Sequence, residues 1–125
     1  MDDKLEAIGK AIVEASLRVH SALGPGLLEN AYQACLAHDL RNQGLGVQSE
    51  VPMPVAYMGE ALDIGYRIDL LVDNLVVVEL KAVERILPLH HAQLLSYLKL
   101  SGLRLGYLLN FNVRSMREGI KRMAN

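Results

Sequence analysis

From Leu5 to Leu23 the apolar residues Leu5, Ile8, Ile12, Ala15, Val19 and Leu23 recur at steps of three or four, with Lys4, Glu6, Lys10, Glu14 and Arg18 between them. That period predicts an amphipathic helix. Gly24-Pro25-Gly26 ends it, because Gly relaxes the backbone and Pro cannot continue the hydrogen-bond ladder, and a second helical pattern runs from about Leu27 to Asn42. Gly44 and Gly46 close that one.

The pattern then changes. Val47 to Tyr57, interrupted by Pro52 and Pro54, predicts an edge strand followed by a turn at Met58-Gly59-Glu60. Leu62–Val72 and Leu75–Val83 are two β-rich runs separated by Asp73-Asn74, which is turn chemistry, so they predict a hairpin. Leu75-Val76-Val77-Val78 shows no polar alternation, as expected of a strand covered on both faces. Pro88 suits the first turn of a helix running to about Leu100, closed by Gly102. Leu103 to Phe111 is a further strand, and a short basic helix from about Ser115 to Met123 is expected at the end. The predicted order is ααβββαβα, a mixed α/β sheet flanked by helices.

Composition narrows the class. The 125 residues are 51% hydrophobic and 22% charged, enough to bury a sizeable core, which excludes a disordered tail or an arginine-rich nucleic-acid arm. No apolar run reaches the roughly 20 residues of a membrane span, and Met1-Asp2-Asp3-Lys4 lacks the form of a signal peptide, so a cytoplasmic location without membrane association is expected. Cys35 is the only cysteine. It excludes a disulfide framework or a thiolate zinc site and is expected to be a small buried hydrophobe. Charge is uneven: residues 1–98 hold seven Lys or Arg against 13 Asp or Glu, whereas 99–125 hold six against one. Lys99, Arg104, Arg114, Arg117, Lys121 and Arg122 fit either a polyanion contact or a solvated terminal helix.

The densest candidate chemistry is Asp69 with Glu79-Leu80-Lys81. Alternation puts Glu79 and Lys81 on one face of a strand and Leu80 on the other. Unpaired burial of these charges would cost several kcal/mol, so they either pair with one another or hold a cation. Carboxylate oxygens favour a hard cation such as Mg2+, and a nearby Lys can orient or deprotonate a water close to a phosphate. Bringing Asp69, Glu79 and Lys81 to one face requires hairpin partners whose residue numbers sum to an even value. A three-residue connection through Asp73-Asn74-Leu75, or a bulge near Asp69, would do so, whereas a two-residue loop would not.

Other residues are less specific. Gln93 and Tyr97 lie four apart on the predicted helix, with His90 three residues before Gln93, and form a polar stripe expected to face away from the core. Glu29 sits near the start of the second helix, where the helix dipole favours an anion, and Tyr32 follows one turn later. Arg67 shares the strand face of Asp69 and is a candidate phosphate contact. Adjacent His90 and His91 diverge by about 100 degrees on a helix and suit no common metal. Gly24-Pro25-Gly26 follows a helix and lacks the Lys of a phosphate loop.

Gly26-Leu27-Leu28-Glu29-Asn30-Ala31-Tyr32 reads GxxExxY, and with Asp69, Glu79-Leu80-Lys81 and Gln93 through Tyr97, in that order, the chain resembles the GxxExxY proteins, a branch of the PD-(D/E)XK nuclease superfamily. The resemblance extends over nearly the whole chain and implies a restriction-endonuclease-like core. It implies Glu29 as the helical acidic residue, Asp69 and Glu79 as metal ligands and Lys81 as the catalytic lysine. Gln93 and Tyr97 match the QxxxY motif of the RecB-type exonuclease branch, where such residues support the site and contact nucleic acid.

The expectation is therefore a single domain over residues 1–125 acting as a Mg2+-dependent nuclease, with Mn2+ able to substitute. Asp69, Glu79, the Leu80 carbonyl and Glu29 are the expected metal ligands, and Glu29, Asp69, Glu79 and Lys81 the catalytic set. Arg67, Gln93, Tyr97, Tyr32 and His90 are expected to contact nucleic acid or support the site. The partner is nucleic acid, DNA ahead of RNA, and a homodimer is compatible with the sequence. The alternative is a non-catalytic nucleic-acid- or protein-binding module of the same fold, in which the carboxylates and Lys81 form internal pairs.

Overall fold

In the computed structural model, which describes residues 1–125, the first helical pattern is α1 (Asp3–Leu23). The Asp2 carboxylate starts it by accepting the Leu5 N–H at 2.9 Å. The second is α2 (Glu29–Asn42). Ile8, Ile12, Ala15 and Val19 of α1 and Tyr32, Leu36, Ala37 and Leu40 of α2 are buried, as their periodicity requires. Cys35 lies off that stripe and is exposed beside Ala34, which corrects the expectation of a buried hydrophobe.

The remaining elements are β1 (Val47–Pro52), β2 (Val55–Tyr57), β3 (Glu60–Leu62), β4 (Arg67–Val72), β5 (Val76–Lys81), α3 (Pro88–Ser101), β6 (Leu105–Asn110), α4 (Met116–Gly119) and β7 (Ile120–Ala124). Five strands form one mixed sheet in the order β1-β4-β5-β6-β7, while β2 and β3 pair only with each other. β5 and β6 are parallel, with α3 between them in sequence. The other neighbours in the sheet are antiparallel.

This order departs from ααβββαβα in three places. The run from Val47 to Tyr57 divides because Pro52 and Pro54 cannot donate to a continued ladder, and β2 leaves the main sheet. The run from Leu62 to Val72 divides at Gly65, whose φ is +89° and whose N–H is held by Asp63 Oδ1 at 3.0 Å. The expected basic helix from Ser115 to Met123 is one turn, α4, followed by β7. β6 is buried along its whole length and needs a partner on its free side. β7 supplies that ladder and carries Lys121 and Arg122, exposed charges of the kind that blunt an edge strand.

The sheet separates two cores. α1 and α2 cover one face, where Leu70, Val72, Val76, Val78, Leu80 and Leu109 pack. α3 covers the other through Leu94, Tyr97 and Leu98 against Val77, Leu108 and Ile68. Gly106 allows this approach, since a Cβ there would lie 2.9 Å from Leu94 Cδ1. No helix is long and apolar enough to cross a membrane.

Candidate active site

The β4–β5 hairpin pairs Leu70 with Val78, Leu71 with Val77 and Val72 with Val76. All three sums are even, and the connection is Asp73-Asn74-Leu75, as the chemistry required. Asp73 and Asn74 take left-handed conformations, φ 50° and 56°, which short polar side chains tolerate. The ladder stops before Asp69 and Glu79. There the Asp69 carboxylate replaces the backbone partner, its Oδ2 accepting the Leu80 N–H at 2.8 Å.

The opposite edge of β4 is irregular at the same point. β1 pairs with β4 on either side of Glu50 and Asp69 but not at them, and Glu50 has φ +54°. Val47 and Leu70 pack on the α1–α2 side, whereas Val51 and Ile68, of the same respective parity, pack on the α3 side. Both strands thus reverse faces here, a distortion that re-aims a side chain. The freed Asp69 carbonyl accepts from Gln33 Nε2 at 3.2 Å. Gln33 was not singled out from sequence, although its position one turn after Glu29 places both on one face of α2.

Glu79 projects toward the α3 side and is only 5% exposed. Burial, reinforced by the neighbouring Asp69 carboxylate and only partly opposed by Lys81, pushes its carboxyl up to about 10. It therefore carries a proton at neutral pH and shares a hydrogen bond with Asp69. Its Oε1 is fully buried without a hydrogen-bond partner. Lys81 is half-buried and takes part in none of the four ion pairs of the protein. An internal salt bridge would have closed this cluster; the structure leaves it open.

Gln93 Nε2 and Tyr97 Oη are 3.1 Å apart, and burial, then the neighbouring Glu79 carboxyl, raises the Tyr97 phenol. The expected outward-facing stripe is corrected: Tyr97 is buried in the α3 core, with its polar end toward the carboxylates. Glu29 opens α2, its carboxyl raised first by burial and then by Asp69. It is within electrostatic reach of Lys81, but no three His, Cys, Asp or Glu side chains are close enough together to hold an ion by themselves. His90 is lowered by burial and by Lys81, and its Nδ1 accepts the Leu87 N–H at 3.0 Å at the start of α3.

Arg67 is tied to Asp63 at 3.3 Å and to its neighbouring Tyr66 carbonyl at 2.8 Å. Tyr32 is fully buried. Its hydroxyl donates to the Gly24 carbonyl at 2.6 Å and accepts the Leu27 N–H at 3.0 Å, so it braces the loop that leads to Glu29. Arg85, Arg114 and Arg117, exposed and without ion-pair partners, lie on the segments that follow parallel β5 and β6, at the Lys81 end of the sheet. Arg85 was not anticipated, because a single Arg in a loop carries no spacing signal.

The arrangement suits a divalent cation. Two carboxylates, one of them protonated and with an orphaned buried oxygen, satisfy their burial when a cation replaces the shared proton. In an extended strand the N–H and C=O of one residue face the same neighbour, so the Leu80 carbonyl is directed to the Asp69 side. A mixed sheet with helices on both faces thus carries D…ExK where two strands part, and this is the candidate metal site.

The sequence profile of the PD-(D/E)XK nuclease superfamily matches residues 6–123, and the chain belongs to that superfamily. Its architecture is accordingly restriction-endonuclease-like. Members are generally nucleases that act on nucleic acid with divalent metals. No curated protein and no solved structure matches the chain.

Proposed function

We propose that this protein is a Mg2+-dependent nuclease of the GxxExxY branch that hydrolyses phosphodiester bonds, with DNA preferred over RNA and Mn2+ able to replace Mg2+. The observation that carries the proposal is the open cluster: Glu79 Oε1 is buried without a partner, and Lys81 has no counter-ion.

Asp69, Glu79 and the Leu80 carbonyl would hold the cation, with Glu29 of α2 as the further acidic residue of the set. A cation bound there would supply Lewis-acid chemistry, polarising a phosphate oxygen and lowering the pKa of a water. The Lys81 ammonium orients the attacking water and offsets charge developing on the phosphate oxygens. Gln93 holds the Tyr97 hydroxyl beside the carboxylates. Arg85, Arg114 and Arg117 neutralise phosphates away from the reacting centre.

The test is incubation with single- and double-stranded DNA and RNA in Mg2+ or Mn2+, with Asp69→Asn as the control. Cleavage of at least one substrate that the control does not cut is expected. Equal background for both proteins on every substrate would leave the non-catalytic binding module as the better reading.

A further inference from the structure

Near the carboxylates lies a cleft of about 370 Å³ between Tyr66 and α3, where Leu89, His90, Gln93, Tyr97 and Leu100 line it. None of its eight lining residues is Lys, Arg, Asp or Glu, and five are hydrophobic. The walls are therefore apolar and the polar groups neutral. We propose that this cleft receives an unpaired nucleobase next to the scissile phosphate, so that the preferred substrate is a single strand or a frayed end, not a paired duplex. The inference rests on the nuclease reading and adds a substrate class to it.

The cleft adjoins the candidate metal site through Tyr97. Tyr66 precedes Asp69 by three residues, and Tyr97, whose ring meets Tyr66 edge-on at 6.2 Å, lies near the Glu79 carboxyl. Tyr66 is a ready stacking platform. The residue is 46% exposed, while its backbone is fixed by the Met53 N–H, which donates to its carbonyl at 2.8 Å. Across the cleft Leu89 is 73% exposed. His90 Nδ1 is already an acceptor for Leu87 N–H, so in the neutral ring Nε2 carries the hydrogen and can donate to a base edge.

A phosphate would find no charge in this cleft, and a base inside a duplex has neither face free. An unpaired base fits both conditions, since stacking on aromatic rings is tolerant of sequence and needs no cationic groove. The charge of the chain agrees with this. The formal net charge is −1, and Arg67, the cation nearest to Tyr66 in sequence, is occupied by Asp63. The free cations Arg85, Arg114 and Arg117 lie outside this cleft, so they can hold the strand's phosphates while the base is bound here.

Binding can be read without cleavage. In EDTA, the full-length protein is titrated into a 2-aminopurine-labelled oligonucleotide, single-stranded or annealed to its complement, while fluorescence is followed. The expected result is a change of probe stacking and at least tenfold tighter binding for the single strand. Tyr66→Ala should weaken that binding by about tenfold, Tyr66→Phe should restore it, and Ser96→Leu, which fills the cleft from an exposed position, should weaken it too. Equal affinity for both forms, no response to either, or wild-type binding by both Tyr66→Ala and Ser96→Leu would overturn the inference. Because the readout needs no turnover, a protein that cuts duplex DNA while binding this way to neither form refutes the cleft alone, and one that binds but never cuts refutes only the nuclease reading.

Discussion

Asp69 Oδ2 accepts the Leu80 backbone N–H at 2.8 Å, so one carboxylate both continues the β4–β5 hairpin and faces Glu79. The two duties separate on substitution. Asp69→Ala leaves the Leu80 N–H without its partner, at a cost of about 1–3 kcal/mol, and lowers Tm by several degrees in EDTA. Asp69→Asn keeps an acceptor oxygen and folds close to wild type, yet loses cation binding measured by calorimetry. Equal melting temperatures for the two variants would contradict the structural duty.

The register of this hairpin was legible because chemistry constrained it: Asp69, Glu79 and Lys81 serve one site only if the partners sum to an even number. The helices α1 and α2 were legible from their period. β7 was not, because Arg117, Lys121 and Arg122 occupy exposed positions equally well on a terminal helix and on an edge strand. What decides between them is the bare side of β6, a tertiary demand absent from local sequence. Gln33 escaped for a similar reason. Its role depends on the Asp69 carbonyl being freed where β4 parts from β1, and that parting is visible only in the fold.

Glu79 makes stability in EDTA depend on pH with a definite sign. Its carboxyl titrates near 4.5 when unfolded and near 10 when folded, so over that window the folded protein retains a proton that the unfolded chain has released. Its contribution is fully present below pH 4.5 and is lost as pH rises toward 10. Glu79→Gln removes this loss, and its Tm should rise relative to wild type by about 5 °C or more between pH 5 and pH 9. Mg2+ should raise the wild-type Tm more at pH 8.5 than at pH 5.5, because it competes with the proton. A difference between the two proteins that is flat with pH would show that Glu79 ionises normally.

Lys81 separates binding from turnover. Its ammonium is not a metal ligand, so Lys81→Ala should bind Mg2+ with near wild-type affinity and cut roughly a hundredfold or more slowly. Glu79→Ala should lose both properties. Single-turnover cleavage alongside calorimetry measures the pair, and a Lys81→Ala protein with wild-type rates would remove Lys81 from the mechanism.

Tyr32 tests whether the Gly26-to-Tyr32 motif acts on the site through structure. Its ring stacks on Phe111 at 4.7 Å with planes 11° apart, and the Phe111 N–H donates to the Lys81 carbonyl at 2.9 Å. One hydroxyl and one stacked pair thus join the loop before Glu29 to the end of β5. Tyr32→Phe keeps the stack and frees Gly24 and Leu27, both near the surface where water can replace the hydroxyl, so about 1 kcal/mol of stability should be lost. Mg2+ binding should survive, since neither Asp69 nor Glu79 moves. Tyr32→Ala removes the stack as well, empties a fully buried site and should cost about 3–5 kcal/mol. Thermal melts and Mg2+ titrations of both variants measure the gradient. A Tyr32→Phe protein that keeps its stability but loses nucleic-acid binding would instead make the hydroxyl a direct contact, which its complete burial argues against.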